Sequence, residues 1–261
     1  MKIYRIYAII LRYLFLFKHS MNRWSDAFYW PTIDLILWGL TSFYLTKYQP
    51  NASMFILVVA SGIVFWQIIW RGQYEISVNL LEELWNKNLV NLFVSPLKFF
   101  EWITSLVFMS VIKSILGLVF ASLVAFILYR IKIYMYGFYL IPFIFLLIVT
   151  GWSVGFFVSG FILRFGSKIE SFAWTAIALI TPFSAIYYPL SVLPVWAQKV
   201  AVFIPTSYVF EGAREVINKG YLDWNKILIS FGLNIFYLTV SLVWFRKSFD
   251  KVLEKGLVKL F

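Results

Sequence analysis

Six runs of mostly apolar residues alternate with short polar stretches along the chain. They are roughly Phe28–Thr46, Phe55–Trp70, Phe100–Tyr129, Phe138–Leu163, Phe172–Tyr188 and Ile227–Phe245. A helix needs about 20 predominantly apolar residues to cross a bilayer. The pattern predicts an all-α polytopic membrane protein with six transmembrane helices. The third run is long enough to tilt or to extend beyond the bilayer.

Residues 1–24 follow a different pattern. Lys2, Arg5, Arg12 and His19 recur at helical spacing among Ile, Leu, Tyr and Phe, which predicts an amphipathic helix lying in the interface. The rival reading is a signal peptide, but Arg12 interrupts its apolar region and no small-x-small cleavage site follows. Between the second and third runs lies "EELWNKNLVNLFVSPLKFFEW", Glu82–Trp102. Read as a helix, Asn79–Leu92 puts Leu80, Leu84, Asn88 and Leu92 on one face, with Glu82, Glu83, Asn86 and Lys87 on others. The acid-before-base pair Glu83–Lys87 suits a water-exposed helix, and Ser95-Pro96 stops it. The expectation is a short amphipathic helix over 79–94, either a lipid-facing interfacial loop or a docking helix that passes a partner's movement to two spans.

Between the fifth and sixth runs, Pro189, Pro194 and Pro205 break the chain too often for a span. Two short helices are predicted, about Pro194–Phe203 and Ser207–Asn218, with Gly220 as a C-cap. Val192–Phe210 is mostly apolar. This favours a re-entrant hairpin near the outer exit over 189–220 rather than an ordinary outer loop, since irregular backbone at membrane depth needs protein cover or a cavity. Glu211, Arg214 and Glu215 share a helix face there, pairing with one another or forming a solvated cluster.

Composition agrees with the runs: 62% of the 261 residues are hydrophobic and 13% charged, against about 25% charged in soluble domains. The absence of cysteine and the single histidine exclude disulfides, cysteine nucleophiles and multi-histidine metal sites. The net charge of +11 reads as basic flanks on the cytoplasmic leaflet rather than a nucleic-acid surface. With the N-terminus inside, inner segments hold fifteen Lys/Arg and outer segments, among them Lys47, hold seven. Both termini are therefore expected in the cytoplasm, with 246–261 as a tail.

A few polar residues interrupt the runs. Lys113 is the most costly, at about 2.5–3.5 kcal/mol near a helix centre. It faces a cavity or partner helix, or it snorkels to the interface. Asp34 pairs with Arg23 or Lys113, or sits near the interface. Gln67 and Asn234 suit interhelical hydrogen bonds. Gly151, Gly155 and Ser159 form a small-xxx-small stripe for close helix packing. Many tyrosines, including Tyr48, Tyr187 and Tyr188, lie near span ends as in an aromatic belt. Tyr187, Tyr188 and Trp196 are also candidates for stacking on sugar rings.

"LLEELWNKNLVNLFVSPLKFFEW" resembles the cytoplasmic coupling-helix region of ABC type-2 (ABC-2) transporter permeases. "PFSAIYYPLSVLPVWAQKVAVFIPTSYVFEGAREVI", Pro182–Ile217, resembles the same family's late signature, with re-entrant helices, a proline and an acidic-then-arginine element. The resemblance covers essentially the whole chain. It implies a permease subunit of an ABC exporter in the plasma or inner membrane, acting as a homodimer. It implies that Glu82, Glu83, Trp85 and Asn88 contact a separate nucleotide-binding ATPase, and that the exit region includes Pro205, Glu211, Arg214 and Glu215. The translocation-path candidates are Asp34, Lys113, Tyr187, Tyr188 and Trp196. No G-x-x-x-x-G-K-[ST] loop is present, so ATP and Mg belong to the partner and this chain binds no cofactor. The implied cargo is a polysaccharide or lipid-linked glycan. The alternatives are an ion-coupled secondary transporter using Asp34 and Lys113, and a membrane-embedded enzyme. The former lacks an evident internal repeat; the latter lacks a clustered catalytic motif.

Overall fold

The computed structural model describes residues 1–46 and 52–255. They form α1 (Ile3–Lys18), α2 (Met21–Thr46), α3 (Ala52–Trp85), α4 (Leu89–Val94), α5 (Phe99–Tyr129), α6 (Leu140–Phe165), α7 (Glu170–Thr175), α8 (Val195–Ala201), α9 (Pro205–Lys219) and α10 (Trp224–Lys255). Tighter turns occupy Ile133–Tyr139, Gly166–Ile169, Thr181–Phe183 and Leu190–Val192. Among the described residues, four helical stretches are long and apolar enough to cross a membrane: Phe55–Trp85, Phe99–Tyr129, Ile133–Thr175 and Trp224–Glu254. The described residues are thus all-helical, without strands, and their apolar helices are those of a multi-pass membrane protein.

Two of the six runs depart from the expectation. α2 is long enough to span, but Pro31, Asp34 and several Thr, Trp and Tyr residues make it less apolar than those four stretches. The fifth run is no continuous α-helix. It is helical only to Thr175, then coils through Ala178→Thr175, Ile180→Ile177, Phe183→Ile180 and Ser184→Thr181 N–H to carbonyl bonds. Pro182 brings no N–H to such a coil, and the left-handed Ala185, φ 58°, ends it.

α3 is the central post. From Val59 to Leu81 its residues are buried, apart from the partly exposed Trp70, because α2, α5 and α6 pack around it. A helix apolar or paired on every side belongs inside a bundle. Its 34 residues make it about 50 Å long at 1.5 Å per residue, well beyond the roughly 30 Å hydrocarbon core. α6 runs parallel to it, and the small stripe makes the contact. A Cβ on Gly151 would stand 2.7 Å from the Ile69 carbonyl oxygen and 2.9 Å from Gly72 Cα. One on Gly155 would meet Ile76 Cβ at 2.9 Å, and Ser159 Oγ lies 3.4 Å from the Ile76 carbonyl. α10 covers the other side of α6; Asn234 Oδ1 bonds Thr150 Oγ1 at 2.8 Å, an interhelical bond of the kind its position predicts.

α1 is shorter than the expected 1–24 helix. It stops at Lys18, and α2 starts anew at Met21. Tyr13 and Phe17 on its inner face are buried, while Ile3, Tyr7 and Phe15 are exposed. No helix break falls at 246, where the tail is expected to begin. α10 continues past Phe245 as one helix to Lys255, burying Phe249 and Val252 with Phe99 and Phe245. Lys47, Tyr48 and the tail residues 256–261 lie outside the described residues.

The two short helices after the fifth run appear where their prolines place them. Pro194 precedes α8, Pro205 opens α9, and Gly220, at φ 77°, caps α9. α8 and α9 sit at the end of the bundle away from α1, where Tyr139 also meets Trp224 at the start of α10.

Candidate functional site

The polar stretch after Trp70 is not a water-exposed helix. Asn79–Trp85 are the last turns of α3, and the chain then reverses at Asn86–Asn88 with Lys87 left-handed at φ 53°. α4 follows as a six-residue helix. The independent helix expected over 79–94 is therefore an elbow: the end of α3, a tight turn, and α4. The reason lies far away in sequence. The charges that look solvated on α3 are met by charges from α1, α2 and α5.

Five ion pairs line this end of the bundle. Arg71 Nη1 bonds Asp26 Oδ2 at 3.1 Å, and Lys113 Nζ bonds Glu75 Oε2 at 2.6 Å. Arg23 bonds Glu82, Arg12 Nη1 bonds Glu83 Oε1 at 2.6 Å, and Arg5 Nη1 lies 3.4 Å from Glu101 Oε2. Glu75, Glu83 and Glu101 are essentially inaccessible, as are Arg71 and Lys113. Buried charges persist only when paired and hydrogen-bonded. Asn79 Nδ2 therefore bonds Glu75 Oε2 at 2.9 Å, and Arg12 Nη2 adds a second bond to Glu83 Oε2 at 2.9 Å. Glu101, at the third position of α5, accepts the backbone N–H of Lys98 at 2.9 Å and that of Lys2 at 2.7 Å. It thereby caps α5 and holds the start of α1 together.

The electrostatics of α1 follow. Burial works against the Arg12 charge, but the bonds and charge of Glu83 outweigh it and hold its pKa above the ordinary value. Burial, then the Glu83 charge, pushes the Tyr13 phenol up. Five cations meet five carboxylates, so the five pairs sum to no net charge. It fixes geometry. No cluster of metal-ligating side chains occurs among the described residues.

The sequence-predicted residues separate accordingly. Glu82, Glu83 and Asn88 turn inward: Asn88 Nδ2 bonds Glu83 Oε2 at 2.6 Å, and the anticipated Glu83–Lys87 pair gives way to Glu83–Arg12. Of the expected contact residues only Trp85 faces out, at 43% exposure. Val90 and Val94 of α4 are exposed with it. Lys113 meets a partner helix rather than snorkelling. Asp34 pairs with neither Arg23 nor Lys113, whose partners are Glu82 and Glu75. It lies one turn before Trp38, whose ring stacks on Tyr187 with centroids 4.4 Å apart. Tyr188 donates to the Pro182 carbonyl at 2.8 Å. Trp196 is 64% exposed and edge-on to Phe183.

At the opposite end, Glu211 pairs with Arg214 at 2.8 Å and accepts the Leu190 N–H at 2.9 Å. Arg214 is buried and donates to the Ala185 carbonyl, so this pair tethers the broken fifth run to α9. Glu215 pairs instead with Lys219 and Lys226, at 3.2 and 3.0 Å. Burial opposes its charge, and the two lysines outweigh burial and hold the carboxyl below its ordinary pKa.

Asp26, Arg71, Glu75 and Glu101 were not among the predicted site residues. One local signal points to them: Arg71, Glu75 and Asn79 recur at i, i+4 on one face. A double-mutant cycle tests the lacing. Glu83→Ala is expected to destabilise the protein by about 2–3 kcal/mol, less than for a fully buried pair because Arg12 can turn to water. The effect should shrink severalfold in an Arg12→Leu background, read by unfolding in mixed micelles. Additive losses would show that the pair does not couple α1 to the elbow.

Compared with known proteins, the sequence matches no protein-family model and no curated protein.

Proposed function

We propose that the chain is the membrane-spanning permease subunit of an ATP-driven exporter of the ABC-2 type. Two copies form the translocation path, and each engages a separate ATPase that binds ATP and Mg. Both termini and the elbow lie on the cytoplasmic side, and α8–α9 form the re-entrant element near the exit. The cargo is a polysaccharide or lipid-linked glycan. The chain performs no bond chemistry itself.

The observation that carries this reading is the elbow. α3 and α5 meet there, and α1 is laced to both by Arg12–Glu83 and Arg5–Glu101. A load applied to Trp85, Val90 or Val94 passes toward two long helices, because the acids behind them, Glu83 and Glu101, are buried and paired. Such a part suits transmission of an ATPase's closure, which supplies the differential binding a conformational change requires. The resemblance at both motifs supports the same reading. A secondary transporter working through Asp34 and Lys113 is less well served, since Lys113 is engaged by Glu75.

Native mass spectrometry of the complex, purified gently from its own membranes, is the test. A 2:2 assembly with a P-loop ATPase is expected. Trp85→Ala with Val94→Ser should reduce the co-purified ATPase about tenfold or more, as for interface hot spots, with unchanged amounts of permease in the membrane. Isolation of the chain alone, even after crosslinking in the membrane, would remove the exporter reading.

A further inference from the structure

A cavity of about 730 Å³ opens on the side of the bundle, between Thr150–Phe157 of α6, the fifth run from Phe172 to Ile180, Phe203, and Phe236–Ser241 of α10. Its size lies within the roughly 300–1,000 Å³ of small-molecule sites. Its lining is almost wholly hydrocarbon. Two of its hydroxyls are already engaged: Ser153 Oγ donates to the Val149 carbonyl at 2.9 Å, and Thr150 Oγ1 lies 2.8 Å from Asn234 Oδ1. Such a wall offers water few partners.

The one charged residue on the lining is Lys199. It is exposed and pairs with no acid among the described residues. It sits on α8 one turn after the exposed Trp196. Tryptophan and lysine together suit headgroup depth, which would put the ammonium at the polar edge of a bilayer and the hollow beneath it at acyl-chain depth. Phe236 and Val240, beside the opening, are 61% and 47% exposed. The apolar face of α10 thus leads straight into the cavity.

We infer that this cavity is a binding site for an anionic membrane phospholipid, with an acyl chain against α6 and α10 and the phosphate on Lys199. Three features select this occupant: hydrocarbon walls, a single unpaired cation at headgroup depth, and an opening continuous with the lipid-facing surface. The inference needs only that α6 and α10 span a membrane, so it stands apart from the exporter reading.

The test is native mass spectrometry of the full chain in detergent, titrated separately with phosphatidylglycerol and phosphatidylcholine of identical chains. The wild type is expected to retain phosphatidylglycerol preferentially. Lys199→Gln should lower that preference about fivefold, the equivalent of one basic residue at a membrane surface, while leaving phosphatidylcholine retention unchanged. Val240→Trp, which fills the mouth, should reduce both lipids. Lys199→Gln changes an exposed side chain and carries the test even if Val240→Trp does not fold. An unchanged lipid preference in Lys199→Gln overturns the site. So does an efficient Val240→Cys disulfide between two copies with no retained lipid, which would seat a second copy there. Retention of a lipid-linked glycan alone, with phospholipid excluded, would also overturn it.

Discussion

Glu75→Ala is expected to cost about 3–5 kcal/mol, the range for removing one member of a buried ion pair. Glu75 is 1% exposed and Lys113 6%. Among the described residues no second carboxylate pairs with Lys113, and Arg23 and Arg71 lie near enough to repel it. The ring of Phe17, 4.8 Å from Nζ, is its other attraction. Without Glu75 the lysine is a buried charge beside like charges. The double replacement Glu75→Leu, Lys113→Met should recover most of the loss, since well-packed apolar pairs often match a buried ion pair. Asn79 keeps its bond to the Glu75 backbone carbonyl in either variant. Unfolding in mixed micelles measures both. A double variant no better than Glu75→Ala would mean that shape, not charge, explains the loss.

Gly151→Leu should prevent α3 and α6 from closing. The first atom of any side chain already meets backbone on the partner helix, Ile69 O at 2.7 Å and Gly72 Cα at 2.9 Å, and backbone cannot rotate aside. Gly151→Ala carries only that first atom and should cost about 1–3 kcal/mol, as overpacking does. Gly232→Ala on α10 is the control. Nothing lies within 4 Å of its Cβ position, so the change should be neutral or stabilise by about 0.5–1 kcal/mol through helix propensity. The yield of monodisperse protein and the melting temperature report all three. Equal behaviour of Gly151→Ala and Gly232→Ala would refute the close-contact account.

The parts of this fold that are local in sequence were legible there. Pro194, Pro205 and Gly220 punctuate α8 and α9, and the small stripe of α6 falls where α3 approaches. The elbow was misread for a physical reason. Arg71, Glu75, Glu82 and Glu83 look hydrophilic within any window, yet their partners are Asp26, Lys113, Arg23 and Arg12, 38 to 71 residues away. Pairing removes the penalty that would otherwise place them in water, and no local periodicity records it. The same long-range pairing leaves Glu83 buried and Glu82 and Asn88 half-buried, with Trp85 exposed beside them. The fifth run was correct as hydropathy but not as helix, since apolarity fixes where a segment resides and not how its backbone coils.

The lacing of α1 also sets an order of events during synthesis. Arg12 must wait for Glu83, 71 residues later, and Arg5 for Glu101, 96 residues later. At about 5–20 residues per second, the nascent α1 spends roughly 4–19 s with its arginines unpaired. Through that interval anionic headgroups would be the available counter-charge, holding the helix at the membrane surface until the protein's own acids replace them. The same arginines would thus face lipid in the growing chain, and they meet carboxylates in the finished one.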